Sequence, residues 1–212
     1  MTESTIPAST KRGRPRSEEV EQAILQAAAS LLKERGFASM SIEEVAAHAG
    51  VGKASIYRRW PSKGALALDA FLGDFLQLQP PVDTGSLEGD MNASLMQWVR
   101  SVSGTPSGRT LVGLIAEAQL DPELATAWRK GIIIPSRNRH RPMVERAIER
   151  GEIPDGSDID VIMDMLYGPA YHRLLHWHLP LSEEFVRRVV AVVVAGAKAG
   201  AAVTSESGGL DR

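Results

Sequence analysis

Cysteine is absent from the 212 residues, which removes disulfides and thiol chemistry and makes a reducing compartment the simpler setting. No run approaches the ~18 consecutive apolar residues of a membrane span. The basic start MTESTIPASTKRGRPRS lacks the apolar segment that follows in an export signal. A soluble, cytoplasmic protein with no membrane partner is therefore expected. Period-two alternation is also missing, apart from the β-like run Val189, Val190, Val192, Val193 and Val194. That run lies inside a longer helical pattern. There is no H-E-x-x-H, P-loop or G-x-S-x-G, so an enzyme is not expected. His172 and His176 have the i, i+4 spacing of a metal-binding pair, with Asp164 two turns earlier. Two imidazoles and one acid are too few for a structural or catalytic metal, and a polar or interface patch is the alternative. No metal and no cofactor is expected.

A surplus of positive charge is missing too: 24 Lys and Arg stand against 26 Asp and Glu, a net charge of -2. Taken whole, that argues against a polyanionic partner. The distribution says otherwise. Lys11, Arg12, Arg14 and Arg16 fall within six positions, and Lys53, Arg58, Arg59 and Lys63 within eleven, with no acid inside either cluster. Residues 1–16 are rich in Ser, Thr and Pro and are read as a flexible basic arm, and residues 201–212 as a disordered tail. Between them the pattern is helical throughout, giving an all-α fold of about nine helices. Residues 17–61 form an N-terminal three-helix domain and residues 62–200 a larger C-terminal helical domain.

Ile24, Ala27, Ala28, Leu31 and Leu32 share one face of a first helix expected from Ser17 to Arg35, closed by Gly36. Ser41 and Glu44 have capping-box spacing and open a second helix over 42–48. Gly50 lies in the turn after it. A third short helix, Lys53 to Arg59, is stopped by Pro61, which disfavours helical geometry at Trp60. Two short helices across a glycine turn make a helix-turn-helix, whose second helix enters the DNA major groove. Ile42, Val45, Val51 and Ile56 are its buried contacts. Gly52, Lys53, Ser55, Tyr57, Arg58 and Arg59 are left outside, where cations and hydroxyls meet phosphates or guanine edges. Lys63, at the start of a fourth helix, adds a phosphate contact.

The stretch SIEEVAAHAGVGKASIYRRWPSKGAL, residues 41–66, resembles the DNA-binding signature of TetR/AcrR-type regulators: a Gly-Val turn, a small residue before Ile-Tyr, an aromatic-Pro-Ser-Lys and an apolar helix. The resemblance spans about residues 17–72. It implies operator contacts by Ser41, Lys53, Ser55, Tyr57, Arg58 and Lys63, mostly to the DNA backbone. Ala54 and Arg59 depart from the glycine and the histidine or tyrosine usual there, which leaves the base preference open. The arm KRGRPR, with Lys11, Arg12 and Arg14, is similar to family arms that enter the minor groove, where arginine is favoured. Solvated charge is the alternative.

In the larger domain, helices are expected over 62–78, 87–102, 106–119, 122–150 with a break near Pro135, 158–178 and 182–198. Asp121 before Pro122 is a strong start signal. LVGLIAEAQLDPELATAWRKGIIIPSR and ERAIERGEIPDGSDIDVIMDMLYGPAYHRLL resemble the C-terminal domain of an actinobacterial-type TetR subgroup, in which the last two long helices pair with those of a second subunit. Residues 158–175 are apolar on two faces: Ile159, Ile162, Met163, Leu166, Ala170 and Leu174 on one, Val161, Met165 and Leu175 towards another. Such a helix must be covered from two sides. The expected homodimer interface is Ile159, Ile162, Leu166, Ala170 and Leu174 with Phe185, Val189, Val192 and Gly196; a thick monomer core is the alternative. Pro169 is expected to kink this helix and leave an effector cavity lined by Leu95, Trp98, Leu114, Trp128, Met143, Tyr167 and Tyr171, with Glu117 or His172 as the polar group. For each aromatic alone, ordinary core packing is the competing explanation. The expected function is a repressor released from a palindromic double-stranded DNA operator by a small-molecule effector. The alternatives are an effector-independent regulator or an activator.

Overall fold

A computed structural model describes residues 14–75 and 82–200 of the chain. The N-terminal part is α1 (Arg14–Ser39), α2 (Ile42–Ala49) and α3 (Lys53–Tyr57), and α4 (Lys63–Phe75) leads out of it. There follow α5 (Leu87–Val102), α6 (Pro106–Ala118), α7 (Pro122–Trp128), a π-helical turn (Arg129–Ile133), α8 (Ile134–Glu149), α9 (Ile159–His176) and α10 (Glu183–Lys198). α7, the π-turn and α8 run on without a gap, so ten α-helical segments make nine separate rods among the described residues. Among these residues there is no strand, and the valine run lies inside α10. No helix among them is long and apolar enough to cross a membrane.

Local chemistry accounts for most boundaries. α1 begins three residues before the expected Ser17, with Pro15 in its first turn, where the missing N–H would have no helical partner anyway. Gly36 breaks α1 with φ 77 and ψ 172, a region essentially reserved for glycine. A Cβ there would meet nothing within 4 Å, so the requirement is backbone conformation and not space. α2 ends in a Schellman motif: Gly50 is left-handed, its N–H donates to Ala47 O, and Val51 N–H donates to Ala46 O at 3.0 Å. Asp121 caps α7, accepting from the N–H groups of Glu123 and Leu124, with Pro122 at the first helical position. The break expected near Pro135 is the π-turn just before it. α9 continues through Pro169 to a left-handed cap at Trp177. α4 is described as far as Phe75, and the expected extension to Leu78 lies outside the described residues.

One apolar core runs through both halves. Ile24, Ala28 and Leu31 of α1 meet Ile42, Val45 and Ile56, all essentially fully buried. The second half of α1 lies on α6, where Gly113 permits close approach: a Cβ on it would stand 2.9 Å from Phe37 Cβ. α4 packs on α1, α6 and α7, so the helix leaving the DNA-binding half touches both. Beyond it α5 packs against α6, α8, α9 and α10. Asp90 is fully buried on α5, accepting from the Thr84 N–H and hydroxyl and pairing with Arg146 of α8 at 3.1 Å. Burial alone would raise its carboxyl pKa; the Thr84 and Arg146 hydrogen bonds more than offset that and hold it below the usual carboxylate range.

Candidate functional site

The helix-turn-helix presents a smaller charged face than its sequence offers. Gly52, Lys53, Ala54, Tyr57 and Arg58 are exposed, Ser55 is half-buried and Ile56 is buried as the helix's anchor. Tyr57, an aromatic side chain, is 51% exposed. Arg58 is exposed and has no ion-pair partner among the described residues. Its guanidinium can therefore make the bidentate phosphate or guanine contact suited to its planar fork.

The other cations are engaged. Lys53 donates to Glu43 of α2 at 2.8 Å. That hydrogen bond, chiefly, raises the lysine pKa and lowers the glutamate's. Arg59 turns inward: it donates to Ser55 O at 3.1 Å and to Ser17 Oγ at 2.9 Å, with Glu21 at 3.7 Å. It ties α3 to the start of α1. Lys63 donates to Phe37 O at 3.2 Å and sits 4.3 Å above the Phe37 ring, pinning the start of α4 to the end of α1. Its ammonium keeps further donors. Ser41 caps α2, accepting from Glu44 N–H while its hydroxyl donates to the Glu44 carboxylate at 2.9 Å. Arg35 reaches the same carboxylate at 2.6 Å. Lys11 and Arg12 lie outside the described residues, and Arg14 is already helical.

Glu43, Glu21 and Glu44 sit outside the basic cluster in sequence, and the fold brings Glu43 and Glu21 to two of its cations. Asp69 is a further contributor not singled out from the sequence. It accepts from the buried Trp60 indole N–H at 2.8 Å and so fastens the end of the helix-turn-helix to α4. The acid on α4, nine residues after the tryptophan, is the only signal of that bond.

In the larger half, a cavity of ≈370 Å³ opens between α8, the π-turn and α9, with Trp98 of α5 in its wall. It brings together three residues expected to line a pocket: Trp98, Tyr167 and Tyr171. Leu95, Leu114, Trp128 and Met143 are buried in the core and do not line this cavity. Glu117, half-buried on α6, does not reach it, and His172 faces outward. The lining missed by sequence is Ile132 and Ile133 of the π-turn, Ser136 and Arg137 of α8, and Met163, Asp164 and Gly168 of α9. A signal for part of it existed. Arg137 and Arg141 on α8 have the same i, i+4 spacing as Asp160 and Asp164 on α9, and they pair across, with Arg137–Asp164 at 2.6 Å and Arg141–Asp160 at 3.3 Å. The Tyr167 hydroxyl is buried beside Ser94, and Arg137 Nε is buried with no hydrogen-bond partner among the described residues. Burial pushes both phenols up, Tyr171 to about 12, so both are protonated donors near neutral pH.

Of the two apolar faces of α9, the one expected at the subunit interface is largely covered within the chain. Leu166, Ala170 and Leu174, with Phe185 of α10, are buried inside the chain and cannot face a second subunit without unpacking the core, whereas Ile162, also buried, reaches the groove on the exposed side. Ile159 and Val189 are half-buried. The exposed face carries Val161, Met165 and Leu175, beside Val192 (66% exposed) and Gly196 of α10. A groove of ≈250 Å³ runs along it. His172 and His176 are exposed and joined by His178, with ring centroids 4.6 to 6.5 Å apart. Asp164 is taken by Arg137 instead. No group of three His, Cys, Asp or Glu among the described residues is placed to hold a metal ion.

Comparison with known proteins agrees with this architecture in both halves. Residues 24–70 match the family model for bacterial regulatory proteins of the tetR family, and residues 81–193 match the tetracyclin repressor-like C-terminal domain. The chain is 35% identical to the HTH-type transcriptional regulator YdeS of Bacillus subtilis, over 92% of this chain and 98% of that one. It is 33% identical to the DNA-binding transcriptional repressor TetR of Mycobacteroides abscessus, over 84% and 92%. The crystal structure of the TetR family transcription regulator SCO0332 superposes with a TM-score of 0.73 at 37% identity, covering 84% of this chain and 98% of that one. The chain belongs to the TetR family of helix-turn-helix transcriptional regulators, which are dimers that bind operator DNA.

Proposed function

We propose that this chain is a cytoplasmic homodimeric repressor, released from a palindromic operator when a small molecule occupies the cavity between the π-turn and α9. The observation that carries the DNA-binding half is the exposed Arg58, without an ion-pair partner among the described residues, beside Tyr57 of α3. Lys53 joins them when a phosphate displaces Glu43, and Lys63 and Ser41 flank the same surface. Arg59 is assigned to holding α3 on α1. Lys11 and Arg12 extend the footprint into the neighbouring minor groove.

The second subunit packs on Val161, Met165, Leu175, Val192 and Gly196. A two-fold axis there repeats the recognition helix, as a palindrome requires. Domain boundaries follow: an arm to about residue 13, the DNA-binding unit to Pro61, and the regulatory and dimer-forming unit to about residue 200. Release requires the effector to bind the DNA-incompetent arrangement more tightly. The test is selection of bound sites from random DNA, followed by titration of the recovered duplex. A palindromic site whose affinity falls when Arg58 is replaced by Ala supports the proposal. Recovery of no enriched site removes it.

A further inference from the structure

The chemistry of the cavity narrows its occupant. Trp98 packs on Tyr171 at 4.8 Å and 49°, and on Tyr167 at 6.3 Å and 75°, so the three rings together form an aromatic wall against which a flat ring can lie. The opposite wall, Ile132 and Ile133, is aliphatic. The two charges in the lining, Arg137 and Asp164, neutralise each other at 2.6 Å, with Asp160 also 3.3 Å from Arg137. An anionic ligand would have to displace a carboxylate, and a cation would have to displace the guanidinium. An uncharged ligand displaces neither. Arg137 Nε is a buried donor with no partner among the described residues and the protonated Tyr167 hydroxyl can donate beside it, so the complementary group is an acceptor. A volume of ≈370 Å³ lies at the small end of ligand sites and suits two or three fused rings.

The same cavity has a mechanical exit. Its aliphatic wall belongs to the π-turn, a one-residue insertion in the helix that is frequent at functional sites. Gly131 in that turn lies against α4, where a Cβ would stand 2.9 Å from Leu72 Cδ1. α4 in turn holds Trp60 through Asp69.

We infer that the cavity takes a compact, uncharged, planar aromatic molecule bearing one hydrogen-bond acceptor, and that the π-turn passes its occupancy to α4 through Gly131 and Leu72. The inference rests on the reading of the cavity as an effector site. It is tested on the full chain by calorimetry and thermal melting with four probes: 9-fluorenone (flat, uncharged, one carbonyl), fluorene (no acceptor), 2-decanone (no ring) and anthracene-9-carboxylate (charged). 9-Fluorenone is expected to bind at least tenfold more tightly than each of the others, and Ile133→Trp, which fills the cavity, to abolish its binding while the protein remains folded. Tighter binding of 2-decanone or the carboxylate overturns the ligand class, as does the absence of binding by all four. Fluorenone that binds without weakening operator affinity leaves the ligand class standing and overturns both the release reading and the relay. Gly131→Ala adds a methyl against the flexible end of Leu72, so it is compatible with folding. It is expected to preserve fluorenone binding to free protein and to change the ratio of operator affinities with and without fluorenone at least threefold. An unchanged ratio overturns the relay.

Discussion

The DNA-binding face and the face of α9 use exposed side chains for different ends. On α3 and the residue after it the large exposed side chains, Lys53, Tyr57 and Arg58, are polar or charged, and the buried one, Ile56, only anchors them. On α9 the exposed residues Val161, Met165 and Leu175 are apolar, while the acids Asp160 and Asp164 are held in ion pairs with Arg141 and Arg137. A polar face can remain in water until DNA arrives. An apolar face of this extent asks for a permanent cover. The first is suited to a partner that comes and goes and the second to a subunit that stays.

Breaking the permanent contact has the largest expected effect. Met165→Glu places a charge in the proposed subunit interface. It should yield monomers in sedimentation and lower operator affinity by more than about a hundredfold, because the two half-sites are no longer read together. Leu166→Glu, on the buried face, should unfold the chain instead. Next comes Tyr57→Ala with Arg58→Ala, which should weaken the operator complex on the order of a hundredfold at about 1–3 kcal/mol per side chain, with an unchanged melting temperature.

Two further changes separate structural charges from DNA-facing ones. Asp90→Asn should destabilise the fold by about 3 kcal/mol, because it leaves Arg146 without its buried partner. The pH dependence follows from the lowered carboxyl pKa. The stabilisation is present above the ordinary carboxylate range and is lost as pH falls through the lower, folded-state value. Denaturation midpoints across that acid range should therefore fall steeply in the native protein and less steeply in Asp90→Asn. The smallest effect is expected at Glu43→Gln, which releases Lys53. Operator affinity should rise a few-fold at low salt, and the gain should shrink as salt screens the pair.

The contrast between the regions also explains what the sequence made legible. Helix ends are local chemistry, so Gly36, the Ser41 cap, the Gly50 turn and the Asp121–Pro122 start could be read directly. α5, α6 and α10 fall within a residue of their expected bounds. The helix-turn-helix face was legible for the same reason: alternation around Ile56 decides which side chains face out. Pairings across the fold were not. That Arg59 turns to Ser17 while Arg58 does not depends on α1 lying beside α3, which no local spacing records. The two apolar faces of α9 were visible. Which of them the chain covers itself was not, because that depends on where α5, α8 and α10 pack. The cavity was legible in its aromatic residues and hidden in its aliphatic ones, since Ile132 and Ile133 reach it only through the π-turn.

Two adjacent arginines, Arg58 and Arg59, are assigned different duties, and the salt dependence of operator binding reads those duties out. With a palindrome recovered from random DNA, the slope of log affinity against log salt should become shallower by about one unit for each phosphate the protein no longer neutralises. The predicted result is a shallower slope for Arg58→Ala at native stability. For Arg59→Ala the prediction is an unchanged slope with a fold weakened by about 1–2 kcal/mol. A slope that flattens with Arg59→Ala and not with Arg58→Ala would contradict the assignment of the DNA-binding face.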